Sequence, residues 1–373
     1  MSENKKVLGI VFANMHEHFV SELTELRTMA SVPFGGRYRL IDFTLSDMVA
    51  AGVDNVGVVV KRNYVSLMDH VGSGREYDLA RKIGGLKIFP PFGERGNNNY
   101  TGKLEALNGI MRYITDTPFD LAILTDSNFV ASIDYTDVVD RHVKTGADIT
   151  AVYKTETIDE SVEKDNVTFE VGEDKRITAV YLNEKAGVKA ANSMWAYVIN
   201  KELLIDLVQE GVKKGLTNFE KDVLQAKCGE IKLYGYEYTG YLARISSMKS
   251  YFDANLALTK KENMKELFSK HPVYTKIRDD APARYIDGSS IKASVVADGC
   301  YIEGYVDNSV LFRGVKVGKD AVVINCVLMQ DTVVESGAYL ENVICDKETV
   351  ITRGKKLKGE STHPVYVEKQ EII

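Results

Sequence analysis

Eight apolar residues recur at six-residue spacing in the last part of the chain: Val315, Ala321, Val327, Val333, Tyr339, Cys345, Ile351 and Leu357. This periodicity is the signature of a left-handed parallel β-helix, in which each short strand stacks its inward residue on the next coil. Just before it, Pro272 and Pro282 punctuate a stretch that reads as a linker. The length of 373 residues also exceeds what one ordinary core accommodates. The expected division is residues 1–270, a linker over 271–287, and a β-helix over 288–373.

Residues 1–270 read as α/β. Apolar runs at 7–12, 53–60, 119–124, 147–154, 167–171 and 177–183 suggest strands. Helical spacing is expected over 40–49, closed by Gly52 as a C′ glycine, and over 102–114 and 246–269. Residues 72–99 are rich in Gly, Pro and Asn and read as a long mobile loop over a cleft.

Composition excludes several function classes. A formal net charge of −6 gives no electrostatic case for nucleic acid. No run reaches the ~18 apolar residues of a membrane span, and the apolar stretch after residue 6 is too short for a signal-peptide core. Cys228, Cys300, Cys326 and Cys345 lack CxxC spacing, so neither a zinc site nor a disulfide framework is indicated. A cytoplasmic protein is expected.

Chemistry-bearing residues concentrate in a few places. Pro33 fixes the backbone, Gly35 and Gly36 permit a tight turn, and Arg37 and Arg39 follow. Two guanidinium groups beside a glycine turn can hold phosphate or carboxylate, or can simply be solvated. Asp126 closes an apolar strand, where ligands of open parallel sheets gather, though a helix cap is the equal alternative. His16 and His18 flank Glu17, but an i, i+2 pair shares a face only on a strand, and no further ligand cluster lies near. They read as incidental.

The segment VPFGGRYRLIDFTLSDMVAAGV, residues 32–53, resembles the one that follows the nucleotide loop in bacterial and plant ADP-glucose pyrophosphorylases. Those enzymes make ADP-glucose from ATP and glucose 1-phosphate with Mg²⁺. The resemblance extends over nearly the whole chain. It implies a Rossmann-like, GT-A-like mixed-sheet nucleotidyltransferase domain followed by the left-handed β-helix. It places Glu105 in an aspartate position and Asp126 at a metal aspartate. Glu184 and Lys185 match an EKP-type element that holds the sugar phosphate, with Ala186 replacing its proline, and Ser193 to Val198 match a strand lining the sugar pocket. Lys185 is otherwise a solvated turn lysine. Arg37 takes the position of a lysine used for an anionic effector, with Arg39 two residues on.

The departures fall on phosphate and metal. The nucleotide loop GGxGxRLxPLT has Asn14, Met15 and Glu17 at its glycines and Phe19 at its arginine. Side chains then fill the space phosphates need, and Glu17 adds a like charge. A family lysine is Met29, and the second carboxylate for Mg²⁺, in GYWRDVGT, is Arg244. A unit positive charge at ~4 Å from another costs about 4 kcal/mol at an effective dielectric near 20, so Arg244 would oppose a cation there.

Three functions compete: an active sugar-1-phosphate nucleotidyltransferase, a non-catalytic subunit of one, and a hexapeptide-repeat acyltransferase. The last usually needs a histidine on the coils, and none occurs between His271 and His363. The pattern of losses resembles GlgD-type regulatory subunits, which assemble with a catalytic GlgC-type subunit in a heterotetramer. The chain is therefore expected to be inactive or weakly active alone and to bind no Mg²⁺. Its expected partners are that subunit and a sugar phosphate or phosphorylated effector, with no nucleic acid and no membrane.

Overall fold

Long apolar runs leave the first part of the chain few alternatives to a sheet buried on both faces. The computed structural model describes residues 5–91 and 100–373. The strands of its main sheet are β1 (Val7–Phe12), β2 (Asn55–Val59), β3 (Gly85–Phe89), β4 (Leu121–Asp126), β5 (Ile149–Thr157), β6 (Val167–Val171), β7 (Ile177–Leu182), β8 (Lys189–Asn200) and β9 (Leu233–Glu237). They make one mixed sheet in the order β7-β6-β8-β4-β1-β2-β3, with β5 paired to β8 and β9. β1 runs parallel to both β4 and β2, so their carboxyl ends open on one side, whereas β8 is antiparallel to β4. Leu8, Ile10 and Phe12 feed a core on one face and Val11 and Ala13 a core on the other.

Gly35 and Gly36 both have positive φ, +62° and +85°, as the tight turn requires. The helix after them, Leu40–Ala50, ends before Gly52 at φ +74°.

Three expectations change. Residues 72–99 are not one loop: Gly85–Phe89 extends the sheet, because Leu86 and Ile88 alternate toward a core. Residues 92–99 of that stretch lie outside the described residues. The helix over 102–114 is two, Lys103–Gly109 and Met111–Asp116, since Ile110 leaves helical geometry just after a glycine. The helix over 246–269 is likewise two, Met248–Ala257 and Lys261–Phe268.

From Arg284 onward the chain is a left-handed parallel β-helix. Its first strand, Arg284–Tyr285, lies inside the stretch read as linker and pairs with Tyr301–Ile302. Val306, Val323, Leu340 and Leu357 stack in register, as do Val317, Val334 and Ile351. Through these coils the step between equivalent residues is 17, as between Asn308 and Asn325, whereas it is 15 between Ser290 and Tyr305 and between Val295 and Val310. Three faces of six residues would need one residue more, so a strict six-residue period slips by one position per coil. Val315, Ala321, Val327, Cys345 and Ile351 are accordingly buried, while Val333 and Tyr339 are only half-buried beside the inward Val334 and Leu340.

The two parts share a core. Leu23, Phe34, Phe43, Ile245 and Tyr251 pack with Val310, Phe312, Val327, Met329 and Ile344 of the β-helix. Arg27 Nη2 adds a buried ion pair, donating to both carboxylate oxygens of Asp346 at 2.8 and 2.7 Å. No helix among the described residues is long and apolar enough to cross a membrane.

Candidate functional site

Asp126 is the last residue of β4, fully buried where the parallel strands open. Its Oδ2 accepts from Lys103 Nζ at 2.9 Å and from His16 Nε2 at 3.0 Å. Lys103, in the first turn of its helix, also pairs with Glu220, which sits on a single π-helical turn. Burial disfavours the Lys103 ammonium, but the charges of Asp126 and Glu220 outweigh it and raise its pKa. His16 adopts a left-handed backbone at φ +60°, which turns its ring inward, and its Nδ1 meets Asp165 at 2.8 Å. Burial pulls its pKa down, yet the hydrogen bonds to Asp126 and Asp165 prevail and raise it to about 9. The imidazole is thus a cation at neutral pH. The histidines are not incidental: His18 also meets Asp165, at 3.3 Å.

The loop after β1 closes on itself. Asn14 Nδ2 donates to Glu17 Oε1 at 2.5 Å, and its Oδ1 accepts from the Lys61 amide at 2.7 Å. Glu17 is buried and also accepts from Arg62 Nε, just after β2, at 2.9 Å, so its carboxylate faces a cation of the protein's own. Phe19 stacks on His16, with ring centroids 5.2 Å apart and planes 7° apart. Met15 packs against the main core and Met29 is fully buried. A cavity of about 570 Å³ remains, with Lys61, Arg62, Lys164 and Lys221 among its lining.

The other expected residues scatter. Glu105 is exposed and accepts from the Thr101 amide and hydroxyl. Glu184 holds its backbone to Asn166, and Lys185 is exposed. Ser193 is buried, bonded to the Trp195 amide and the Tyr197 hydroxyl. Arg244 pairs with Glu156 at 2.6 Å rather than confronting Asp126. The cations on Asp126 are Lys103 and His16, neither of which sequence reasoning placed there. A lysine opening a helix carries no sequence signal of a partner 23 positions away in a different element; the His-Glu-His run was the visible hint.

These residues do not fit Mg²⁺. The metal prefers several hard oxygen ligands, and the one aspartate at the strand end already carries two internal cations. Among the described residues no group of three or more His, Cys, Asp or Glu could hold a metal ion.

Arg37 and Arg39 stand elsewhere, in a 270 Å³ cleft between the two parts of the molecule. Lys276, Arg278, Arg313, Lys347 and Lys369 line it as well. Neither guanidinium braces Asp42 or Asp47: Arg39 donates to Ser66 O at 2.6 Å, and Arg37 lies 3.7 Å from Asp298. Asp42 is instead held by His70, Tyr77 and the Arg39 amide. Burial, then the charges of Arg39 and Arg27, push the Lys347 ammonium down to about 7. Asp69 and Glu348 line the same cleft, and Lys276 pairs with Asp69 at 3.1 Å.

Residues 20–261 match the nucleotidyl transferase family and residues 281–363 the GlmU-like C-terminal hexapeptide family. The glycogen biosynthesis protein GlgD of Bacillus subtilis is 31% identical over 98% of this chain and 96% of its own length. GlgD of Geobacillus stearothermophilus is 34% identical over 86% of this chain and 83% of its own. A glucose-1-phosphate adenylyltransferase of Pseudothermotoga lettingae is 31% identical over 99% and 90%. The chain belongs to the nucleotidyltransferase family that contains these GlgD glycogen biosynthesis proteins and glucose-1-phosphate adenylyltransferases.

Proposed function

We propose that the chain is a non-catalytic regulatory subunit in glycogen biosynthesis, assembling with a catalytic glucose-1-phosphate adenylyltransferase subunit in a hetero-oligomer. The observation that carries this is the pairing of Asp126 Oδ2 with two internal cations, Lys103 and His16. Its Oδ1 has no partner among the described residues, but two positive charges already on the carboxylate oppose a further cation there. The closed Asn14–Glu17 loop supports the same conclusion from the phosphate side. The cationic cleft around Arg37 and Arg39 supplies the regulatory half: a site for a phosphorylated effector, felt by the partner through the assembly.

The test is steady-state ADP-glucose synthesis by the purified chain, alone and mixed with a catalytic subunit. The expected result is no synthesis alone and an altered activation curve in the mixture. Arg244→Asp is expected to stay inactive, because Lys103 and His16 still occupy Asp126 and catalytic groups act as a unit. Turnover of order 1–10³ s⁻¹ by the isolated chain, ordinary for an enzyme, would establish a self-sufficient nucleotidyltransferase instead.

A further inference from the structure

Trp195, the one tryptophan of the chain, stands where β8 departs from regular pairing. Ser193 faces Tyr153 and Ala196 faces Val152 on β5, so Met194 and Trp195 bulge out of register. The Trp195 backbone is left-handed at φ +48°, a region that disfavours bulky residues and persists only where surroundings enforce it. Its side chain is 2% exposed. The His16 ring centroid lies 4.4 Å from the indole, and the Arg244 guanidinium carbon 5.2 Å. The indole thus contacts two cationic groups, and with His16 it lines the 570 Å³ cavity.

The neighbourhood holds an unusual set of buried polar atoms. Asp126 Oδ1, both amide atoms of Asn128, Asn192 Oδ1 and Arg244 Nη1 have no hydrogen-bond partner among the described residues. They belong together: Asn128 O accepts from the Ile245 amide, Arg244 pairs with Phe129 across a short ladder, and Arg244 Nη2 donates to Asn192 O. Buried polar groups are nearly always satisfied, so a cluster of exceptions marks a place built for a ligand. Donors and acceptors are mixed here, which suits hydroxyl groups, each of which is both. Arg244 and His16 add affinity for an anionic group.

We propose that Trp195 is a built-in occupant of a hexose-phosphate subsite: its indole, in contact with His16 and Arg244, takes the place of the ligand and shuts it out. The proposal rests on the non-catalytic reading and reaches past it, because it assigns the closure to one side chain rather than to lost metal ligands alone. Glycine is the residue that a φ of +48° suits, so Trp195→Gly should fold while emptying the slot.

The experiment is calorimetric titration of the full chain and of Trp195→Gly with glucose 1-phosphate, with inorganic phosphate as control and synthesis assayed alongside. The variant is expected to bind glucose 1-phosphate at least tenfold more tightly than the parent, to show no such gain for phosphate, and to remain inactive. A folded variant with no gain, or a parent that binds equally well, overturns the proposal. So does an equal gain for phosphate. Should the variant fail to fold, the parent's fluorescence under excitation beyond the tyrosine absorption decides, since one indole supplies all of it. Blue-shifted emission, shielded from acrylamide and unmoved by glucose 1-phosphate, is expected; red-shifted, quenchable emission overturns the proposal. Synthesis by the parent would overturn the non-catalytic reading as well, whereas an inactive parent and a folded variant without gain overturn the plug alone.

Discussion

Asp126 and Glu220 are two buried carboxylates that share one ammonium, Lys103. Removing it leaves Glu220 without its cation and Asp126 with His16 alone. Lys103→Met is therefore expected to destabilise by about 3–5 kcal/mol, the usual size for breaking a buried pair, read as a lowered denaturation midpoint with unchanged slope. A loss under about 1 kcal/mol would mean that the carboxylates find water or protons without it. His16 makes the second contribution, and its sign with pH is fixed. Its pKa rises from 6.5 in the open chain to about 9 in the fold. The stabilisation is complete below pH 6.5 and is lost as pH climbs through 9. Its ceiling is about 3 kcal/mol, at 1.36 kcal/mol for each pKa unit. Lys347 opposes it in the same window: its pKa is lowered to about 7, so its burial is less unfavourable at high pH. The clean observable is the difference between parent and His16→Gln. That difference should shrink from pH 6.5 to 9.5, and one that stays constant would place the His16 proton elsewhere.

At the scale of elements, the coil of the β-helix is set by backbone corners as much as by apolar spacing. Asn308, Asn325 and Asn342 all sit at positive φ, between +42° and +54°, and stack one coil above another. Asn308 Nδ2 donates to Asn325 Oδ1 at 2.8 Å, and Asn325 Nδ2 to Asn342 Oδ1 at 3.3 Å. Asn325→Gly keeps the left-handed corner and loses two hydrogen bonds, at about 0.5–1.5 kcal/mol each. Asn325→Val loses the same bonds and adds the left-handed penalty of about 1–2 kcal/mol. The valine variant should therefore be the less stable of the two in denaturant titration; the reverse order would show that the corner does not need its φ. These asparagines explain what the six-residue pattern could not carry. Apolar spacing announces a β-helix, but the coil length depends on where polar corners turn, and Asn in a left-handed turn looks like any other Asn. The α/β half was legible for the matching reason, since VLGIVF and LAILTD are unambiguous buried strands. Short Gly85–Phe89 was hidden among turn-formers, and the site was legible only as losses. That Asn14, Glu17 and Arg244 replace phosphate and metal groups could be read along the chain; what they and Lys103 do instead depends on partners 3 to 117 residues away.

At the scale of the whole molecule, the shared core and the buried Arg27–Asp346 pair fix the two parts against each other, and the cationic cleft lies along that seam. Asp346 precedes Lys347, so the residue that joins the parts neighbours the ammonium most sensitive to an anion. An anion bound among Arg37, Arg39 and Lys347 should restore the Lys347 proton that burial and the neighbouring cations dislodge near pH 7. Binding then takes up a proton, and by linkage affinity must fall as pH rises through about 7, approaching tenfold per pH unit. A phosphate monoester is a poor probe, because its own second ionisation near pH 6 increases its charge over the neighbouring range and masks the effect. Sulfate keeps a constant charge. Calorimetric titration of the full chain with sulfate between pH 6 and 9 should show the dissociation constant rising above pH 7. In Lys347→Met it should be weaker at pH 6 and flat throughout. A flat profile in the parent would remove Lys347 from the site, and no sulfate binding at any pH would leave Arg37 and Arg39 as residues that only line the seam.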